Sequence, residues 1–153
     1  EFDMNERVEG VMASTKILLG EKKVNINIIY TGNAFVKADE FKIEEVLTNY
    51  VSNAINHVDA GGYIEVKVEK FPGRVKVSVF NTGGSIPEDD IEHIWEKFYK
   101  VDKAHSRGYG GSGIGLSIVK AIIEAHGGSY GVRNRDNGVE FWFELGTLDL
   151  TKQ

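Results

Sequence analysis

The sequence holds no cysteine. That excludes disulfides and thiolate-ligated metal sites, and it fits a reducing compartment. No stretch reaches the roughly 18 consecutive apolar residues of a membrane helix, and no secretory signal is read in the opening residues. A basic excess is also missing: 18 Lys and Arg against 23 Asp and Glu leave a formal charge of −5. The chain therefore has no electrostatic footprint for nucleic acid or for an anionic membrane surface. Its histidines lack metal-ligand spacing; His93 and His105 read as surface residues and His126 as a helix-end residue. What is present is the ordinary composition of a globular protein, in 153 residues, which suffice for one domain with a sizeable core. Glu1 opens the chain without an initiator methionine, so the chain is expected to be a piece of a longer protein.

The most regular stretch is Asp39 to Val58. Ile43, Val46, Leu47, Tyr50, Val51, Ala54, Ile55 and Val58 recur at helical spacing, with Asp39 placed to cap the start. Asn49, Asn53 and Asn56 share a polar stripe only about 60° wide along the edge of that helix. Asparagine is a poor helix former because its side chain competes for backbone hydrogen bonds. A single such Asn reads as a solvated edge; three in register read as neutral amides facing a polar ligand or a metal.

Around this helix the pattern predicts a first helix ending near Gly20, strands at 24–30 and 35–38, and a hairpin of 63–71 and 74–81 about Pro72-Gly73. A helix is expected from Ile86 to Tyr99, with Pro87 and three acidic residues at its start. Residues 101–111 read as a loop, and residues 113–126 as a strongly apolar helix stopped by Gly127-Gly128. A last hairpin joins 129–135 to 139–145. This order predicts an α/β (α+β) two-layer sandwich: one mixed, mostly antiparallel sheet with its helices packed on one face.

Two places carry chemistry. Period two puts Asn81 on the same strand face as Val75, Val77 and Val79, which makes it a polar group directed into the core. The plain reading is an amide satisfied by nearby backbone. The functional one is an acceptor for an exocyclic amine, with Thr82-Gly83-Gly84 letting a planar ligand approach the backbone. The second place is Gly110 to Ser117, where glycines and a helix start together suit phosphate, although a structural turn explains glycines equally well. It is not a Walker A loop, because no Lys-Ser/Thr follows. It is not a dinucleotide fingerprint, because a long loop and not a strand precedes it.

Together these stretches resemble the ATP-binding domain of bacterial sensor histidine kinases, within the wider fold of gyrase, heat-shock chaperone and mismatch-repair ATPases. Four motifs occur in the family's order. The N box resembles Asn49-Tyr50-Val51-Ser52-Asn53-Ala54, and the first glycine box Asn81-Thr82-Gly83-Gly84-Ser85-Ile86-Pro87. The F box resembles Ile94 to Asp102. The second glycine box resembles Gly111 to Lys120, with the family's His-Gly-Gly following at His126 to Gly128. The likeness runs along essentially the whole chain and implies one ATP-binding catalytic domain over residues 1–153.

The resemblance further implies ATP and Mg²⁺ as cofactors, with Asn53 as the metal ligand and Asn49 at the catalytic position. Asn81 would receive the adenine amine, and Gly83 and Ile86 would border the base. Tyr99 and Lys100 would lie beside the nucleotide. Residues 101–111 would form a mobile lid with Arg107 as a phosphate contact, and Gly111, Ser112, Gly113, Gly115 and Leu116 would frame the phosphates. Asn56 and His57 are carried over from the N box, although many relatives have Lys and an aromatic there. Asn81 also departs from the family's usual Asp, and Ser85 from its second glycine.

No histidine here is followed by the phospho-acceptor pattern, so the dimerisation helices are expected N-terminal to residue 1 in a parent protein. The implied role is presentation of the ATP γ-phosphate to a histidine on that separate domain, with a response regulator further along the pathway and no nucleic acid. The implied location is a cytoplasmic domain without direct membrane contact, in a parent that in many relatives is a membrane sensor. Alternatives are an ATPase or anti-sigma-type serine kinase of the same fold, which generally keeps a Glu base where Asn49 stands, and a non-catalytic adaptor.

Overall fold

The structure, a computed structural model, describes residues 1–19, 24–99 and 115–147, with the backbone alone for residues 16–19. The lid segment 101–111 lies outside the described residues. The elements are β1 (Phe2–Asp3), α1 (Met4–Leu19), β2 (Asn25–Tyr30), β3 (Phe35–Val36), α2 (Glu40–His57), β4 (Tyr63–Phe71), β5 (Arg74–Thr82), α3 (Gly115–Ala125), β6 (Ser129–Arg135) and β7 (Gly138–Gly146). Five strands make one sheet in the order β2-β4-β5-β7-β6. β2 runs parallel to β4, across the long connection that contains α2, and the other neighbours are antiparallel.

Period-two alternation sorts the strands into two faces. Ile64, Val66 and Val68 of β4, the three valines of β5, and Val139, Phe141, Phe143 and Leu145 of β7 are buried in one core. Ile43, Leu47, Tyr50 and Ala54 of α2 and Leu116, Val119 and Ile123 of α3 close that core from the helical side. Each Val, Leu, Ile or Phe among them contributes roughly 1.5–3 kcal/mol on burial. The opposite face carries Glu65, Lys67, Glu69, Lys76, Arg133 and Arg135 around a shallow polar groove. The helices therefore lie on one face, as the alternation predicts.

Tyr50 sits at the centre of the sandwich, its ring 5.4 Å from Phe141 and 6.1 Å from Phe143. Its hydroxyl donates to the Trp142 carbonyl at 3.0 Å. Burial pushes the phenol well above its ordinary range, so it stays a neutral donor. α2 starts as predicted: the Asp39 carboxylate accepts the Lys42 N–H at 3.2 Å.

Two features differ from the sequence reading. Phe2–Asp3 pairs antiparallel with Phe35–Val36 in a small separate sheet, which no periodicity announces in so short a strand. The expected helix from Ile86 to Tyr99 is instead a 3₁₀ turn, Glu88–Asp90, followed by further turns. Asp90, Ile91, His93, Glu96 and Tyr99 each donate three residues back, and Ile94 alone donates four back, to Asp90. The tighter winding stacks Ile91 and Ile94 at i, i+3 toward the core, where Ile94 is buried. Trp95 lies edge-on to Tyr130 and Phe141, at 4.7 and 5.9 Å. Phe98 ends the run at φ +67, a left-handed conformation that no α-helix accepts. Packing of three apolar residues over a short span overrides the helical pattern.

Candidate functional site

Asn81, the penultimate residue of β5, has 1 % of its surface exposed. Its Nδ2 donates to the Thr82 carbonyl at 3.0 Å, while its Oδ1 is buried with no hydrogen-bond partner. An orphaned buried acceptor costs roughly 1–3 kcal/mol, and such groups in native proteins call for an explanation. A ligand donor is the explanation that the position at a strand end admits. Gly83 follows at φ +140, and a Cβ there would come within 2.6 Å of the His57 carbonyl. Glycine thus lets the end of β5 rest on the last turn of α2. Thr82 reinforces the junction: its hydroxyl donates to Asp59 Oδ1 at 2.7 Å and accepts the Tyr63 N–H at 3.0 Å.

About two turns back along α2, Asn49 Nδ2 donates to the Glu45 carbonyl at 2.9 Å. Its Oδ1 lies 2.8 Å from where a Cβ on Gly115 would stand. The first turn of α3 therefore comes directly against Asn49, and Leu116 behind it is buried. Asn49, Asn53 and His57 form one i, i+4, i+8 row, so about 12 Å of α2 joins the start of α3 to the loop after Asn81. Asn53, in the middle, is 9 % exposed, and its Nδ2 is buried without a partner. Asn56 is exposed and His57 half-buried.

Ile86 is buried. Its backbone is held by Asn134, a residue that the sequence reading passes over: Ile86 N–H donates to Asn134 Oδ1 at 2.9 Å, and Asn134 Nδ2 donates to the Ile86 carbonyl at 2.7 Å. The available signal was period two in β6, which puts Asn134 on the same face as Tyr130 and Val132. Tyr99 is half-buried; its hydroxyl donates to Asp90 Oδ1 and its ring stacks on His93 at 5.2 Å. That hydrogen bond, first, and Asp90's charge hold the Tyr99 phenol above its usual value. Lys100, Arg107, Gly111, Ser112 and Gly113 lie outside the described residues.

The structure thus brings Asn49, Asn53, His57, Asn81, Gly83, Gly115 and Leu116 along one helix, with Ile86 anchored nearby through β6. Among the described residues no cluster of three or more His, Cys, Asp or Glu is arranged to hold a metal. The polar groups on offer are neutral amides, which suit a ligand with amine donors and a cation that brings its own oxygen partners.

Residues 38–149 match the model of the histidine kinase-, DNA gyrase B- and HSP90-like ATPase family. The sensor protein IrlS of Burkholderia pseudomallei is 36 % identical over 79 % of this chain and 26 % of its own length. The sensor histidine kinase WalK of Bacillus subtilis is 40 % identical over 61 % of this chain and 16 % of its own length. The chain therefore spans 26 % and 16 % of the length of these two relatives. The catalytic domain of histidine kinase ThkA superposes with a TM-score of 0.84 at 33 % identity, over 95 % of this chain and 93 % of that domain. ThkA is also solved in complex with response regulator protein TrrA. The chain belongs to the histidine kinase-, DNA gyrase B- and HSP90-like ATPase family, as a catalytic domain of the histidine kinase type.

Proposed function

We propose that residues 1–153 act as a single domain that binds Mg-ATP and offers its γ-phosphoryl group to a histidine on a separate dimerisation domain of a sensor kinase. The observation that carries this is the buried, partnerless Oδ1 of Asn81. It can accept from the adenine amine, where guanine presents a carbonyl instead. Asn53 would hold the metal through its amide oxygen, and Mg²⁺ there would supply charge neutralisation at the phosphates. Phosphate oxygens would lie toward the start of α3, where the positive end of the helix dipole favours negative charge. Lys100 and Arg107 add cationic contacts, and Tyr99 flanks the nucleotide.

In the transfer itself, a ring nitrogen of the acceptor histidine attacks the γ-phosphorus, and the bond to the β–γ bridging oxygen breaks, releasing ADP. Catalysis of this step is chiefly positioning and charge stabilisation. Asn49 is a neutral amide and cannot take a proton at neutral pH. It orients without activating water, which favours this reading over an ATPase or serine kinase. A nucleotide-free adaptor would have no reason to keep an orphaned acceptor at Asn81. A response regulator, as in the ThkA complex, is the partner downstream. No described helix is long and apolar enough to cross a membrane. From the likeness to sensor kinases we assign the domain to the cytoplasm.

Calorimetry with a non-hydrolysable ATP analogue, with and without Mg²⁺, tests binding. Incubation with γ-labelled ATP tests transfer: no label on the isolated chain, and Mg-dependent label on added histidine-bearing domain. Label on the chain itself, or rapid phosphate release without partner, overturns the kinase reading.

A further inference from the structure

Residues 83–87 belong to no helix or strand, so their backbone groups must find partners elsewhere. The β6–β7 hairpin supplies three of those partners. Gly83 N–H donates to the Asn137 carbonyl at 3.0 Å, and Asn134 takes both backbone groups of Ile86, at 2.9 and 2.7 Å. One side-chain amide thus makes the pair of bonds that a neighbouring strand would make.

The register gives this clamp its meaning. Asn81 on β5 and Asn134 on β6 both stand opposite Val139 of β7. The three residues form one row across three strands, directed toward the helical layer. The loop leaves the sheet at the acceptor Asn81 and is pinned back to the same row at Asn134, with Ile86 only 1 % exposed.

We infer that Asn134 is a positioning residue for base recognition. It holds the apolar wall at Ile86 in register with the Asn81 acceptor, so that a planar base meets both at a set separation. This rests on reading Asn81 as the base acceptor. The role requires an amide. A carboxylate at 134 accepts from the Ile86 N–H but repels its carbonyl, whereas a protonated carboxyl can again do both.

The test is a double-mutant cycle on affinity for a non-hydrolysable ATP analogue with Mg²⁺, using the parent chain, Asn134→Ala, Asn81→Ala and the double variant. Asn134→Ala weakens binding by about tenfold or more, and in the Asn81→Ala background the same change has little further effect. Asn134→Asp binds weakly at neutral pH and recovers, relative to the parent, as pH falls into the carboxyl range. Parent-like affinity of Asn134→Ala overturns the inference. So do losses that simply add in the double variant, which would mark Asn134 as general support of the fold. Should Asn134→Ala fail to fold, absence of recovery in Asn134→Asp overturns it. A parent chain that binds no ATP analogue overturns the nucleotide reading itself, and this inference with it.

Discussion

The Nε2 of His126 accepts the Asp39 backbone N–H at 3.1 Å, while its Nδ1 donates to the Ile122 carbonyl at 2.8 Å. One neutral imidazole, in a single tautomer, thereby ties the end of α3 to the N-cap of α2, the two helices that flank the candidate site. His126→Ala removes both bonds, and the Asp39 N–H turns to water. The expected loss is about 0.5–1.5 kcal/mol, seen as a lower urea midpoint at unchanged slope. An unchanged midpoint would show that the tie has no energetic weight.

Asn81→Ala should weaken ATP binding by about 1–3 kcal/mol, because the adenine amine is left without its acceptor. Stability should hold or rise, since the variant also removes an orphaned buried oxygen. Asn81→Asp keeps the acceptor and adds charge, and is expected to bind at least as tightly as the parent. Calorimetry and thermal melting of the same samples read both effects; equal affinity of parent and Asn81→Ala would remove the assigned role.

Gly115→Ala separates stability from function. Alanine is better than glycine in a helix by up to about 1 kcal/mol, and the atom its Cβ would meet is the end of the Asn49 side chain, at 2.8 Å. Asn49 can swing away at small cost, so the fold should be unchanged or slightly more stable. The displaced amide should nonetheless slow phosphoryl transfer to the partner domain. Parallel melting curves and γ-labelled transfer assays check this, and normal transfer would count against Asn49 as a positioned group.

His93 Nδ1 lies 2.7 Å from Glu96 Oε2, and this hydrogen bond, first, with the Glu96 charge, raises the imidazole above its ordinary value. A raised folded-state value stabilises the fold below the unfolded-state value, and that contribution disappears as pH rises through the folded one. The pair is exposed, so its effect on stability is small. NMR titration should show His93 titrating above the ordinary histidine value in the parent, and returning toward it in Glu96→Gln. Identical titration curves would contradict the contact.

The chain's own pattern determined more here than the fold class. Alternation in β4, β5 and β7 and the helical period of α2 specify which face of each element is apolar, because both are local geometric consequences of strand and helix. Asn81, Asn53 and Asn49 were legible for the same reason: each is a polar residue at a position whose periodicity says inward or edge. The turn-wound segment after Pro87 was not legible, since a run of Ile91, Ile94 and Trp95 suits either winding until Tyr130 and Phe141 are in place to receive it. Nor could β1, two residues long, be seen without its partner Phe35–Val36.

The site's assembly was decided by tertiary structure alone. That Gly115 abuts Asn49, that Gly83 rests on the His57 carbonyl, and that Asn134 clamps Ile86 are contacts between residues 26 to 66 positions apart. Local sequence dictates which atoms a residue carries and which way its backbone turns. It does not dictate which distant backbone will lie within hydrogen-bonding distance, because that depends on strand order and helix docking, which are settled only when the whole core is buried together.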